Sequence, residues 1–273
     1  MSQGGRLRIM RGKDWADPVR PARREVREAV PETAGDRPPV LFVPGYGYGA
    51  WAFEEHWLEH AAQRGFPAYA MSLRGHGGSE AVPDATLRAY AHDVVQVAAS
   101  LPRQAVLVGH GAGALVVSRA LARYPARAGV LVAPVLGGAG VLAANLRHNP
   151  FGTLPALFGA RVRWRARQLF SAGLPAETAR GYLARLGGAG GRAQWQLLRP
   201  GPGEPAVGDP RMLVLGSPED RVVPAAALNR AAQRYGGAPL LFPGMGHAMM
   251  LDARWREPID AILDWLEKLP PRG

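Results

Sequence analysis

The chain contains no cysteine, which removes disulfides and thiolate metal sites from consideration. Lysine is almost as scarce: Lys13 and Lys268 are the only two, so arginine carries nearly all the positive charge. No apolar run is long enough to span a bilayer as a helix. The residues up to Arg37 are polar and rich in Arg and Pro, without the apolar centre of a secretory signal. These absences lead to the expectation of a cytoplasmic protein with no transmembrane segment. The histidines are scattered, with no closely spaced pair on a helix face, so no metal is expected. Gly109, Gly111 and Gly113 do not follow the G-x-G-x-x-G spacing of a dinucleotide loop, and no cofactor is expected.

What is present describes an ordinary globular chain. Of 273 residues, 47% are hydrophobic and 20% charged. A chain of this length buries a sizeable core. The formal net charge is +11. The arginines come with abundant Ala, Gly and Pro, a pattern expected of GC-rich coding, and no nucleic-acid motif accompanies them. No nucleic-acid partner is therefore expected.

Apolar runs punctuated by Gly and Pro set out the order of elements. Residues 1–39 are weakly patterned, with an edge strand expected over Arg23–Val30. Short buried strands are expected at Val40–Val43, Phe66–Leu73, Ala105–Val108, Gly129–Ala133, Met212–Leu215 and Pro239–Phe242. Helical periodicity covers Phe53–Arg64, Thr86–Leu101, Ala112–Tyr124, Ala225–Tyr235 and Trp255–Leu269. Strands alternating with helices imply an α/β domain over 40–269, with a mostly parallel sheet and helices on both faces. Continuous apolar strands fit a sheet buried on both sides. Residues 135–209 interrupt the alternation with a Gly/Pro-punctuated helical stretch, expected to form a cap over a site.

The central motif is Val106-Leu107-Val108-Gly109-His110-Gly111-Ala112-Gly113, where a strand hands over to a helix. It follows the G-x-S-x-G elbow with Gly111 at the position of the nucleophile. In such an elbow the central residue takes a strained backbone, and the flanking glycines clear space around it. The chain thus resembles an α/β-hydrolase of the esterase, lipase and lysophospholipase-like group, over about residues 40 to 268. Further motifs occur in the family's order. Val43-Pro44-Gly45-Tyr46-Gly47 resembles the oxyanion loop, with Pro44 replacing the usual histidine. Leu73-Arg74-Gly75-His76-Gly77-Gly78-Ser79 resembles the Arg-Gly-His-Gly-x-Ser turn. The loop Gly216–Pro224 resembles the one bearing the triad acid, and Gly244–His247 the one bearing the triad histidine.

The resemblance implies His247 as general base and Asp220 as the carboxylate that orients it, with Glu219 the alternative acid. It implies backbone N–H groups of Tyr46 and Ala112 as oxyanion donors. Gly45, His110, Met245 and Trp164 are expected to contact substrate, and the partner is expected to be a small apolar or acyl compound. His76 is read as a packing residue. Ser72, Ser118 and Ser217 are the serines considered as substitutes, and none is suitably placed in the pattern.

Gly111 cannot attack a carbonyl, so an acyl-enzyme at this position is excluded. Three readings remain open: a His247–Asp220 dyad acting directly as a general base, an inactive ligand-binding relative, or a serine-to-glycine variant of a working esterase. Residues 151–170 mix Phe151, Leu154, Leu157, Phe158, Trp164 and Phe170 with Arg161, Arg163, Arg165 and Arg167. An amphipathic helix with a solvated arginine face is expected there. If the arginines instead reach a ligand, they suit a carboxylate, a phosphate or an anionic membrane surface.

Overall fold

The structure is a computed structural model that describes residues 18–33, 35–82, 85–158, 160, 162–187, 191–198 and 204–270. Seven strands occur in the order β1 (Val26–Ala29), β2 (Val40–Val43), β3 (Ala68–Met71), β4 (Val106–His110), β5 (Ala128–Val132), β6 (Arg211–Gly216) and β7 (Leu240–Leu241). They form one sheet in the order β1-β3-β2-β4-β5-β6-β7. All neighbours run parallel except β1, which pairs antiparallel with β3, Val26 opposite Met71. The central strands β2, β3, β4 and β5 are buried along their whole length, as two-sided coverage by helices demands. The expected edge strand is thus present in shorter form, while residues 1–17 of the N-terminal segment lie outside the described residues.

The helices that pack on the sheet are α1 (Trp51–Glu54), α2 (Trp57–Gln63), α3 (Leu87–Ser100) and α4 (Ala112–Leu121). Between β5 and β6 come α5 (Ala139–His148), α6 (Pro150–Thr153), a 3₁₀ turn (Leu154–Phe158), α7 (Ala166–Leu169), α8 (Ala176–Ala184) and α9 (Gly191–Leu198). The chain then closes with α10 (Ala225–Gln233) and α11 (Arg256–Glu267). Thr86 caps α3, accepting from the Ala89 N–H at 3.1 Å.

Two expectations need correction. The helix read over Phe53–Arg64 is two helices, α1 and α2, because the backbone turns at His56 (φ −145°). The His56 ring stacks on Trp255 with centroids 4.6 Å apart, a distant partner that local periodicity does not contain. The single amphipathic helix read over 151–170 is a set of short pieces, and its outward side carries Phe151, Leu154 and Phe158. Arg161 lies outside the described residues.

The Arg-Gly-His-Gly turn has a structural job. Arg74 is buried and pairs with Asp93 of α3 through two contacts of 2.6 Å. His76 packs edge-on against Tyr46 and Tyr90. Together they pin the loop after β3 to α3.

Candidate active site

Parallel strands deliver their following loops to one edge of the sheet, where ligands bind in open α/β folds. The loops after β2, β4, β6 and β7 carry Gly45–Tyr46, Gly111, Asp220 and His247 to that edge.

The elbow after β4 is sharp. Gly111 has φ +54° and ψ −121°, a backbone that residues with a Cβ adopt only under strain. Its N–H donates to the Val132 carbonyl at 2.9 Å, and its own carbonyl accepts from Val135 at 2.9 Å. The turn is therefore held by main-chain bonds alone. The flanking glycines are steric requirements. A Cβ on Gly109 would lie 2.6 Å from the Gly113 carbonyl oxygen, and one on Gly113 would lie 2.4 Å from that of Val43.

His247 faces this corner. Its Nδ1 is 2.8 Å from Asp220 Oδ2, with both side chains almost fully buried. The other oxygen, Oδ1, accepts from the N–H groups of Val222 at 2.7 Å and Val223 at 3.0 Å. Those two bonds fix the carboxylate, and the carboxylate fixes the ring with Nδ1–H as donor, leaving Nε2 as the basic nitrogen. Nε2 lies 3.1 Å from the point a Cβ would occupy on Gly111. The alternative acid, Glu219, is exposed and turns elsewhere: it accepts from the Gly244 N–H at 2.8 Å and from Ser217 Oγ at 3.0 Å.

Tyr46 and Ala112, the residues expected to supply oxyanion donors, both line the space over this corner. Ala112 is the first residue of α4, so its N–H has no acceptor within the helix. The positive end of the helix macrodipole adds to it. The Cα of Gly45 lies 3.7 Å from the would-be Cβ of Gly111, so the loop after β2 passes directly beside the elbow. A Cβ on Gly45 would come within 3.1 Å of His110 Nδ1, which accounts for glycine there.

A cavity of about 880 Å³, its open mouth included, lies over the corner. Its floor is Gly45, Tyr46, Ala112 and His247, and its upper wall comes from the helical insertion, including Asn145, Thr153 and Trp164. Of the residues expected to contact substrate, Gly45 and Trp164 line it. His110 and Met245 do not. His110 is wholly buried behind the dyad, its Nε2 3.0 Å from the His247 carbonyl oxygen. Burial first, and then the neighbouring His247, push its pKa down to about 3, so it stands neutral. Met245 faces a second cleft, with Phe170 and Arg221. Among the described residues no arginine lines the first cavity.

None of the alternative serines is at the corner. Ser72 accepts from the Ala50 N–H and donates to Glu25, Ser118 donates to the Leu115 carbonyl, and Ser217 donates to Glu219. Three residues of the site escaped sequence reasoning. Tyr48 lines the cavity, and its buried hydroxyl has no hydrogen-bond partner among the described residues. Burial and, secondarily, the Asp220 charge push its pKa far up. Asn145 spans the cavity wall, donating to Val222 and accepting from Gln168. Asp252 accepts from Gly246 N–H at 3.0 Å and from both N–H and Oγ of Ser171, which ties the His247 loop to the insertion. Its place five residues beyond His247 was the available signal.

The profile of the alpha/beta hydrolase family matches residues 40–264. Solved structures share the fold at low identity. A thermophilic esterase from Thermogutta terrifontis is 18% identical over 90% of this chain and 93% of its own, with a TM-score of 0.68. A monoacylglycerol lipase from Paleococcus ferrophilus is 19% identical over 90% and 98%, with a TM-score of 0.66. A bromoperoxidase from Bacillus anthracis is 15% identical over 91% and 97%, with a TM-score of 0.68. No curated protein matches the sequence.

Proposed function

The chain belongs to the alpha/beta hydrolase family, and from that premise we propose that it acts on a small, uncharged acyl or ester-type substrate by general-base chemistry at the His247–Asp220 dyad, without a covalent intermediate. The observation that carries this reading is the 3.1 Å between His247 Nε2 and the side-chain position of Gly111. A water at that position is within hydrogen-bond reach of the base. Neutral His247 takes one proton from the water, and the oxygen forms a bond to the carbonyl carbon. The carbonyl π electrons move to oxygen, where the N–H groups of Ala112 and Tyr46 receive the charge. Collapse expels the alkoxide, which takes the proton from the imidazolium of His247. Asp220 remains ionised throughout and stabilises that imidazolium. Substrate charge is constrained by the cavity lining, which among the described residues holds no arginine or lysine and is mainly apolar.

A second reading has its own support. Gly111 is the residue that adopts φ +54° without strain. Relief of that strain favours a relaxed ligand-binding relative that keeps the frame of a hydrolase. One experiment separates the two. Hydrolysis of short p-nitrophenyl esters is measured for the native chain and for His247→Ala, with intact-mass detection of any acyl adduct. Turnover lost in His247→Ala, with no adduct at any time, supports the dyad. Turnover equal in both chains, or none in either, leaves the binding reading.

A further inference from the structure

The segment Pro150–Phe158 is apolar on both sides. Asn149 caps it, accepting from the Gly152 N–H at 3.2 Å, and Pro150 opens the helix. One side turns inward, where Thr153 and Ala156 line the cavity and are buried. The other side holds Phe151 of α6 and Leu154 and Phe158 of the 3₁₀ turn that follows it. They are 82%, 52% and 84% exposed. A surface helix ordinarily turns a polar face to water, and apolar coverage all round belongs to a buried or lipid-contacting element.

The rim of this face is basic. From Val94 to Ala176 the sequence has no acidic residue. Arg163 is held beside the apolar face, its N–H donating to the Gly152 carbonyl at 3.1 Å and its carbonyl accepting from Asn149 at 2.6 Å. Arg147 is exposed in the last turn of α5, four residues before Phe151. Arg221 donates to the Arg167 carbonyl, and the charges of Arg221, Arg147 and Arg167 all act on His148, so these three lie close together. Among the described residues none of Arg147, Arg163 and Arg167 has an acidic partner.

We propose that this face docks the protein on an anionic lipid bilayer, with Phe151, Leu154 and Phe158 inserted at the headgroup level and the arginines paired with lipid phosphates. An exposed aromatic-aliphatic face ringed by arginine meets both attractions that hold an interfacial element: apolar burial and charge at an anionic surface. Because the inward side of the same segment lines the cavity, docking would set the cavity wall against the lipid. The inference does not depend on the chemistry at Gly111.

The test is sedimentation of the full chain with vesicles of phosphatidylcholine alone or with about one-third phosphatidylglycerol, at low and high salt. Expected is partitioning onto the phosphatidylglycerol vesicles at least roughly tenfold above that onto phosphatidylcholine, weakened by salt. Phe151→Ser with Phe158→Ser, and separately Arg147→Glu with Arg163→Glu, should each reduce it by roughly tenfold or more. Arg211→Glu with Arg234→Glu makes the same change in net charge at the far edge of the sheet and should leave most of it. Circular dichroism confirms that each variant is folded, as exposed positions should allow. Equal or no binding to the two vesicles, or an equal loss in the far-edge variant, overturns the proposal. A dimer in solution that Phe151→Ser with Phe158→Ser converts to monomer, with no vesicle binding, overturns it in favour of a second copy covering this face.

Discussion

Placing a serine at Gly111 tests the reading of the site most directly. The substitution adds a Cβ at φ +54° and ψ −121°. Strain of this kind costs on the order of 1–3 kcal/mol for a residue with a side chain. The new Cβ would also lie 3.1 Å from His247 Nε2, close enough that the imidazole must yield by a few tenths of an ångström. In return the Oγ comes within reach of a base already oriented by Asp220. In a domain of this size each kcal/mol lowers the melting temperature by about 2–4 °C. Gly111→Ser should therefore melt lower than the native chain by several degrees. It should also gain covalent chemistry. Hydrolysis of p-nitrophenyl butyrate should rise by at least roughly 10³-fold, since loss of the nucleophile from a working triad costs on the order of 10⁶-fold. A fluorophosphonate probe should label Ser at 111 and nothing in the native chain. Gly111→Ala supplies the control: it should show the same thermal loss with no labelling. A folded Gly111→Ser protein with an unchanged melt and no labelling would refute the geometry on which the site is built.

Other perturbations follow from the same distances. Gly113→Ala drives a Cβ to 2.4 Å from the Val43 carbonyl oxygen, and urea denaturation should show a loss of roughly 3 kcal/mol or more, or failure to fold. Asp220→Asn removes the charge that holds the imidazolium while keeping an acceptor for Val222 and Val223, so turnover should fall by at least ~10²-fold with little change in folding. The pKa of His110 falls from about 6.5 to about 3 on folding, so the unfolded chain binds more protons in between. Stability should accordingly drop as pH falls from about 6 towards 4, by up to roughly 1.4 kcal/mol per unit from this group, and His110→Gln should flatten that part of the slope in denaturant titrations.

Much of this architecture was legible before any coordinates. Strands β2, β4 and β5 are buried on both sides, and such strands must be continuous apolar runs. Gly109 and Gly113 could be read because a Cβ at either meets backbone, which does not move aside. Asp220 and His247 stood out because the loops that carry them resemble the family's, in the family's order, and each follows an expected strand. What escaped depends on contacts distant in sequence. The break between α1 and α2 answers to Trp255, some two hundred residues away. The apolar character of Phe151, Leu154 and Phe158 likewise stands out in the sequence without saying that they turn outward. The cavity polar groups, Tyr48 and Asn145, have no motif, since only the packing of the insertion on the sheet edge gives them a purpose.

The glycine at the elbow changes what the base addresses. In a serine hydrolase the imidazole is committed to one hydroxyl, carried by the protein, and every turnover passes through an ester on that oxygen. Here Nε2 points at a position that the chain itself leaves to the reactants. Whatever binds there must bring its own ionisable proton, which water and alcohols do and simple hydrocarbons do not. The elbow still supplies the Ala112 N–H and the helix end behind it, because those are main-chain features that serine does not provide. On the proposed reading, a site with base and oxyanion donors but no fixed nucleophile would catalyse one-step addition or proton abstraction. Its selectivity then rests on how the cavity wall from Asn145 to Trp164 positions the substrate carbonyl against that corner.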